Sequence, residues 1–290
     1  MAAVLTVHDI EVEDVEYLRF GNKALLARLY KPRGDGPFPL LVDLHGGAWC
    51  RGDRLNDVVL SEALARSGVA VAALDFRMPP DAPYPASLTD IHYGIRWLKT
   101  RADTLGLRVD KVGALGVSSG GHQAMLLAMR PHDPRYTAFK PPYGATDAEM
   151  GLDYVVLCWP VIDPLARYHY AQKLRDSGEP YPEFVDRVLP CHDQYWQDEE
   201  AMAEGNPVLA LERGETVEVP PVLYVQGTKD VAHPRPDLDR FVEHYRKAGG
   251  QVELKLFDGE AEGFINRKPT SAVAGQAVTQ IIEFVHRHAG

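Results

Sequence analysis

The feature that most constrains this chain is an apolar run, Lys111 to Val117, that passes through Gly116-Val117-Ser118-Ser119-Gly120-Gly121 into a helical pattern over 119–129. A buried strand that turns this sharply into a helix brings the two so close together that side chains flanking the serine would collide. Glycine is therefore required on both sides of the bend. The bend lifts the Ser118 hydroxyl above the sheet and sets the Ser119 amide at the positive end of the helix. A tight turn with an inert serine would need the same glycines, so the bend alone does not assign chemistry.

The rest of the chain alternates in kind. Residues 4–19 and 23–30 carry intermittent apolar alternation around Gly21-Asn22, as antiparallel strands do. Pro39 to Leu44 is a short continuous apolar run, expected of a strand covered on both faces. Helical patterns at 57–67, 87–103, 236–248 and 271–287 separate apolar runs at 69–74, 154–159, 222–226 and 252–257. Such alternation calls for a mostly parallel sheet with helices on both faces, here as one domain over 1–290. Two stretches, 131–150 and 164–207, break the pattern and read as cap insertions over the strand ends. A surface elaboration without substrate contact is the alternative.

At 290 residues and 45% hydrophobic, the chain can bury one large core. Its formal charge of −10 argues against nucleic acid or an anionic membrane as principal partner. Cys50, Cys158 and Cys191 lack the spacing of a zinc site or redox pair, which suits a reducing compartment. Met1-Ala2-Ala3-Val4 runs into Asp9, Glu11, Glu13 and Asp14, a pattern of neither a signal peptide nor a membrane span, so a cytoplasmic location is expected. No metal is expected, because the histidines and carboxylates lack ligand spacing, and no cofactor is implied.

A second glycine-rich loop, His45-Gly46-Gly47-Ala48-Trp49, follows another buried strand. Acyl transfer builds negative charge on a carbonyl oxygen, and each backbone amide aimed at it is worth about 3–4 kcal/mol. Gly46, Gly47 and the Ser119 amide are the candidate oxyanion hole, with His45 organising the loop and Trp49 walling a pocket.

With these motifs the chain resembles the hormone-sensitive-lipase-type esterases and their bacterial relatives, including arylformamidase-like and feruloyl or acetylxylan esterase-like enzymes. The matching residues are His45 to Gly47, Asp75-Phe76-Arg77 to Pro83-Tyr84-Pro85-Ala86, Asp90, Trp97, Gly116 to Gly121, and Gly227-Thr228-Lys229-Asp230, in the family's order. The resemblance implies an α/β-hydrolase fold: a central, mostly parallel eight-stranded sheet with helices on both faces and a small cap. It also implies a carboxylic ester hydrolase with Ser118 as nucleophile and Asp230 as the acid of the triad.

The departure is at the base. The family's histidine precedes Gly-Phe after the last strand, and here Glu262 stands before Gly263-Phe264. No histidine lies between His244 and His286. A glutamate has a reference pKa of about 4.3 and is a poor proton donor at neutrality, unless a neighbouring carboxylate such as Asp230 raises the pair.

Three readings stay open. The first is a Ser118-Glu262-Asp230 hydrolase. In the second, another histidine, His233 or His122, reaches the serine. The third is a disabled hydrolase that binds a ligand or uses Glu262 in lyase-type proton abstraction, as the histidine-lacking gibberellin receptors illustrate for binding. Trp49, Tyr84, Tyr168, Tyr195 and Trp196 point to a small-molecule substrate with an aromatic or medium-sized acyl part. A homodimer through the last strand or helix is common in such folds, and no residue here demands it.

Overall fold

The computed structural model describes residues 7–140 and 151–290, so the 141–150 part of the first expected insertion lies outside the described residues. The chain begins with strands β1 (Ile10–Phe20), β2 (Lys23–Pro32) and β3 (Phe38–Leu44), then helix α1 (Val58–Arg66) and strand β4 (Ala70–Leu74). Helices α2 (Ala86–Thr100) and α3 (Ala102–Leu105) lead to β5 (Leu107–Val117), α4 (Ser119–Met129) and β6 (Tyr154–Cys158). The expected second insertion is four helices: α5 (Pro164–Arg175), α6 (Phe184–Trp196), α7 (Glu199–Glu204) and α8 (Pro207–Glu212). The chain closes with β7 (Val222–Gly227), α9 (Arg235–Lys247), β8 (Val252–Phe257), α10 (Phe264–Arg267) and α11 (Ala272–Ala289).

The eight strands form one sheet in the order β1-β2-β4-β3-β5-β6-β7-β8. The pairs β1·β2 and β2·β4 are antiparallel, and every later pair is parallel. This is the eight-stranded, mostly parallel α/β-hydrolase architecture that the family resemblance implies.

Side chains on a strand alternate between faces, which splits the apolar residues into two cores. Leu40, Val42 and Leu44 pack with Ile91 and Ile95 of α2 and Phe241 of α9. Leu41, Leu115 and Val117 pack on the other face with Leu60 and Leu64 of α1 and Ile281 and Phe284 of α11. Each such side chain, fully buried, contributes roughly 1.5–3 kcal/mol from lost water contact.

The register pairs Leu44 with Gly116 and Val117 with Cys158, so β3, β5 and β6 end together. Functional loops in parallel sheets gather at this carboxyl edge. Among the described residues, no helix is long and apolar enough to cross a membrane.

Candidate active site

Ser118 links β5 to α4 with φ 51° and ψ −115°, a left-handed conformation that a non-glycine residue holds only when its surroundings enforce it. The enforcement is visible. The Ser118 amide donates to the Cys158 carbonyl at 3.0 Å, and its carbonyl accepts from Val161 at 2.9 Å. Gly120 allows the approach behind it, because a Cβ there would sit 1.9 Å from the Leu44 carbonyl oxygen.

Ser118 Oγ lies 3.1 Å from His233 Nε2, and His233 Nδ1 lies 2.9 Å from Asp230 Oδ2. All three groups are buried, at 8%, 4% and 9% exposure, which shields the contacts from competing water. Asp230 Oδ1 also accepts the amides of Ala232 at 2.9 Å and His233 at 3.1 Å. Burial pushes the Asp230 carboxyl up, but the charge and hydrogen bond of His233 and these two amides together hold it below its ordinary value. An ionised carboxylate fixes the tautomer: Nδ1 donates to Asp230, which leaves Nε2 to accept from the serine hydroxyl.

The other histidines have structural partners. His122 Nδ1 accepts from Trp49 Nε1 at 3.2 Å, and its Nε2 donates to the Gly205 carbonyl at 2.7 Å. Burial lowers its pKa to about 4. His45 stacks on Phe76 with ring centres 4.3 Å apart, and its Nδ1 lies 2.8 Å from the Gly46 carbonyl oxygen.

Gly46 and Gly47 line the same cavity as Ser118, a space of about 320 Å³. Gly47 has φ 120°, and a Cβ there would lie 2.0 Å from the Arg51 carbonyl oxygen. Ser119 is buried at the first turn of α4, with its hydroxyl accepting the Trp49 amide at 3.1 Å.

Glu262 lines this cavity too. Its Oε2 pairs with Arg187 at 3.4 Å and Arg267 at 3.7 Å, and no hydrogen bond joins it to Ser118 among the described residues.

The aromatic residues expected at the substrate instead pack on one another. Trp49 stacks on Tyr195 at 5.3 Å, and Trp196 lies 4.6 Å from Tyr84. The Tyr84 hydroxyl bonds Glu204 at 2.5 Å, Tyr195 bonds Ser87 at 2.7 Å, and Tyr168 bonds Asp193 at 2.8 Å. None of the five lines the Ser118 cavity. Large rings close to one another gain more by stacking than by facing a polar cleft.

In their place stand arginines that no sequence motif marks: Arg167 on α5 and Arg187 on α6, with Arg51 and Arg267. Arg167 and Arg187 belong to the stretch between β6 and β7, which the sequence singles out only by its tyrosines and tryptophans.

Comparison with known proteins agrees with this architecture. The BD-FAE family profile matches residues 28–237. Esterase LipC of Mycobacterium tuberculosis is 25% identical over 255 residues, covering 87% of this chain and 59% of LipC. Ethyl acetate hydrolase of Pseudomonas putida is 23% identical over 284 residues, covering 96% of this chain and 83% of that protein. The chain thus spans about six-tenths of LipC's length. Among solved structures, carboxyl esterase 2 from Tuber melanosporum superposes with a TM-score of 0.77 at 20% identity, over 98% of this chain and 89% of the other. An esterase from Pyrobaculum calidifontis does so at 0.74 and 22%, over 96% and 86%. At these identities the structures speak for a shared fold.

Proposed function

Since this chain belongs to the BD-FAE family, we propose that it hydrolyses carboxylic esters through Ser118, with His233 as proton carrier and Asp230 as its orienting acid. The observation that carries this reading is the chain of contacts from Ser118 Oγ to His233 Nε2 at 3.1 Å and from His233 Nδ1 to Asp230 Oδ2 at 2.9 Å. The esterase activity named for LipC and the Pseudomonas putida hydrolase supports the same class of substrate.

Ser118 Oγ attacks the ester carbonyl carbon as His233 Nε2 takes its proton. The oxyanion that forms meets the amides of Gly46, Gly47 and Ser119. Collapse expels the alcohol, which takes the proton back from His233. Water, deprotonated by His233, then attacks the acyl-serine, and the acid leaves as His233 returns that proton to Ser118 Oγ. Asp230 keeps its negative charge throughout and stabilises the imidazolium.

In this mechanism Glu262 balances Arg187 and Arg267 and does not carry the proton. A second reading, with Glu262 as the base, draws on its place in the same cavity as Ser118. A fluorophosphonate probe tests the proposal. It is expected to label wild-type protein at Ser118, and to label neither Ser118→Ala nor, at a measurable rate, His233→Ala. Equal labelling of wild type and His233→Ala overturns it.

A further inference from the structure

The cavity at Ser118 has the opposite electrical character to the chain around it. The molecule carries a formal charge of −10, yet this cavity is lined by four arginines, Arg51, Arg167, Arg187 and Arg267, against two carboxyl groups, Asp57 and Glu262. Glu262 is shared between Arg187 and Arg267. Burial raises the Asp57 carboxyl to about 6, against the hydrogen bond from Asn266.

Arg167 is the unusual member. It is 2% exposed and, among the described residues, pairs with no carboxylate within salt-bridge distance and leaves Nε and Nη2 without a hydrogen-bond partner. Asp163, four residues before it, has its carboxylate occupied by the Ala166 amide, Asn206 and Arg240. Trp49 offers only its ring, 5.3 Å from the guanidinium carbon. Burial lowers the Arg167 pKa to about 10, against the more distant pull of Glu262 and Asp230, so it is still a cation at neutral pH. A buried charge with so little compensation is costly, and the missing partner is best supplied by whatever fills the cavity it lines.

We propose that the Ser118 cavity selects esters bearing a carboxylate, with Arg167 and Arg187 supplying the positive charge that holds it. The proposal rests on the hydrolase reading for the word ester, and on the cavity alone for the anion. It makes Arg167 a specificity-determining residue.

The test compares kcat/KM for monoethyl adipate and for its neutral counterpart ethyl methyl adipate, scoring release of ethanol. The wild type is expected to favour the monoanion by about tenfold or more, the scale of a hydrogen bond to a charged group. Arg167→Gln should bring that ratio close to one, mainly through KM. Glu262→Gln, which frees Arg187 and Arg267, should raise it. A wild-type ratio near one, or an equal loss on both esters in Arg167→Gln, overturns the proposal.

Calorimetric titration of Ser118→Ala with adipate and with adipamide reads the anion site without turnover. Binding of adipate alone supports the proposal, and equal or absent binding of the two overturns it. If neither ester is cleaved and the fluorophosphonate leaves Ser118 unlabelled, the hydrolase reading has failed and the titration still decides the anion site.

Discussion

His233 is held in place by the aspartate three residues before it. Asp230 Oδ1 caps the amides at 232 and 233, which curls the loop after β7 and brings the imidazole back onto Oδ2. Gln226 Nε2 then ties the His233 carbonyl at 2.7 Å. The proposed acid and base thus come from one turn, whereas the resemblance places the base after the last strand, where Glu262 stands. The signal was present as Asp230-Val231-Ala232-His233-Pro234, but spacing alone cannot say which way a loop histidine turns. Two substitutions separate the candidates. On a neutral p-nitrophenyl ester, His233→Ala is expected to lower kcat by on the order of 10⁴-fold, as loss of a triad member does. Glu262→Gln should stay within about tenfold of wild type, because it removes a partly exposed ion pair worth about 0–1 kcal/mol. The reverse ranking would return the base to Glu262.

At the scale of elements, the β5–α4 junction is the most constrained. Leu44 at the end of β3 sits against the first turn of α4, and the 1.9 Å gap that a Cβ at Gly120 would leave can open only if strand and helix separate. Gly120→Ala is expected to cost about 3 kcal/mol or more, read as a lower urea midpoint, with loss of probe labelling at Ser118. Gly275→Ala is the control, since α11 leaves open space at that position; it should gain about 0.5–1 kcal/mol from helix propensity. Similar effects of the two substitutions would mean that the junction is not tight. The helices between β6 and β7 behave differently. Asp163 caps α5, Asp198 caps α7 and Asn206 caps α8, so their starts follow local rules. Which face of α5 or α6 meets the cavity follows from no local rule, and that is why Arg167 and Arg187 were invisible in the sequence.

Across the whole molecule, charge buried near the site sets how stability depends on pH. Asp237, on the first turn of α9, is raised to about 7 by burial and then by Asp163, while Arg240, Arg167 and His233 pull the other way. A carboxyl raised in the fold stabilises through its protonated form. That contribution is complete below its ordinary value of 3.8 and is lost as pH climbs to about 7. Asp237→Asn, which keeps the neutral form at every pH, should melt about 5 °C above wild type at about pH 8. Near pH 4 the two should melt together. A constant difference across that range would show that Asp237 is not the titrating group.

From the sequence alone came the alternating strands and helices, the serine on its glycine-flanked bend and the His45-Gly46-Gly47 loop, each written in short-range patterning: apolar runs of strand or helix period, or a glycine where two backbones nearly touch. Asp230 was marked by the family resemblance instead. Only the tertiary structure decided that His233 faces Ser118, that Glu262 answers to arginines, and that the aromatic residues pack together while Arg167 lines the cavity. Those outcomes depend on which side chains compete for one volume and one set of charges, and residues distant in sequence enter that competition only once the chain is folded.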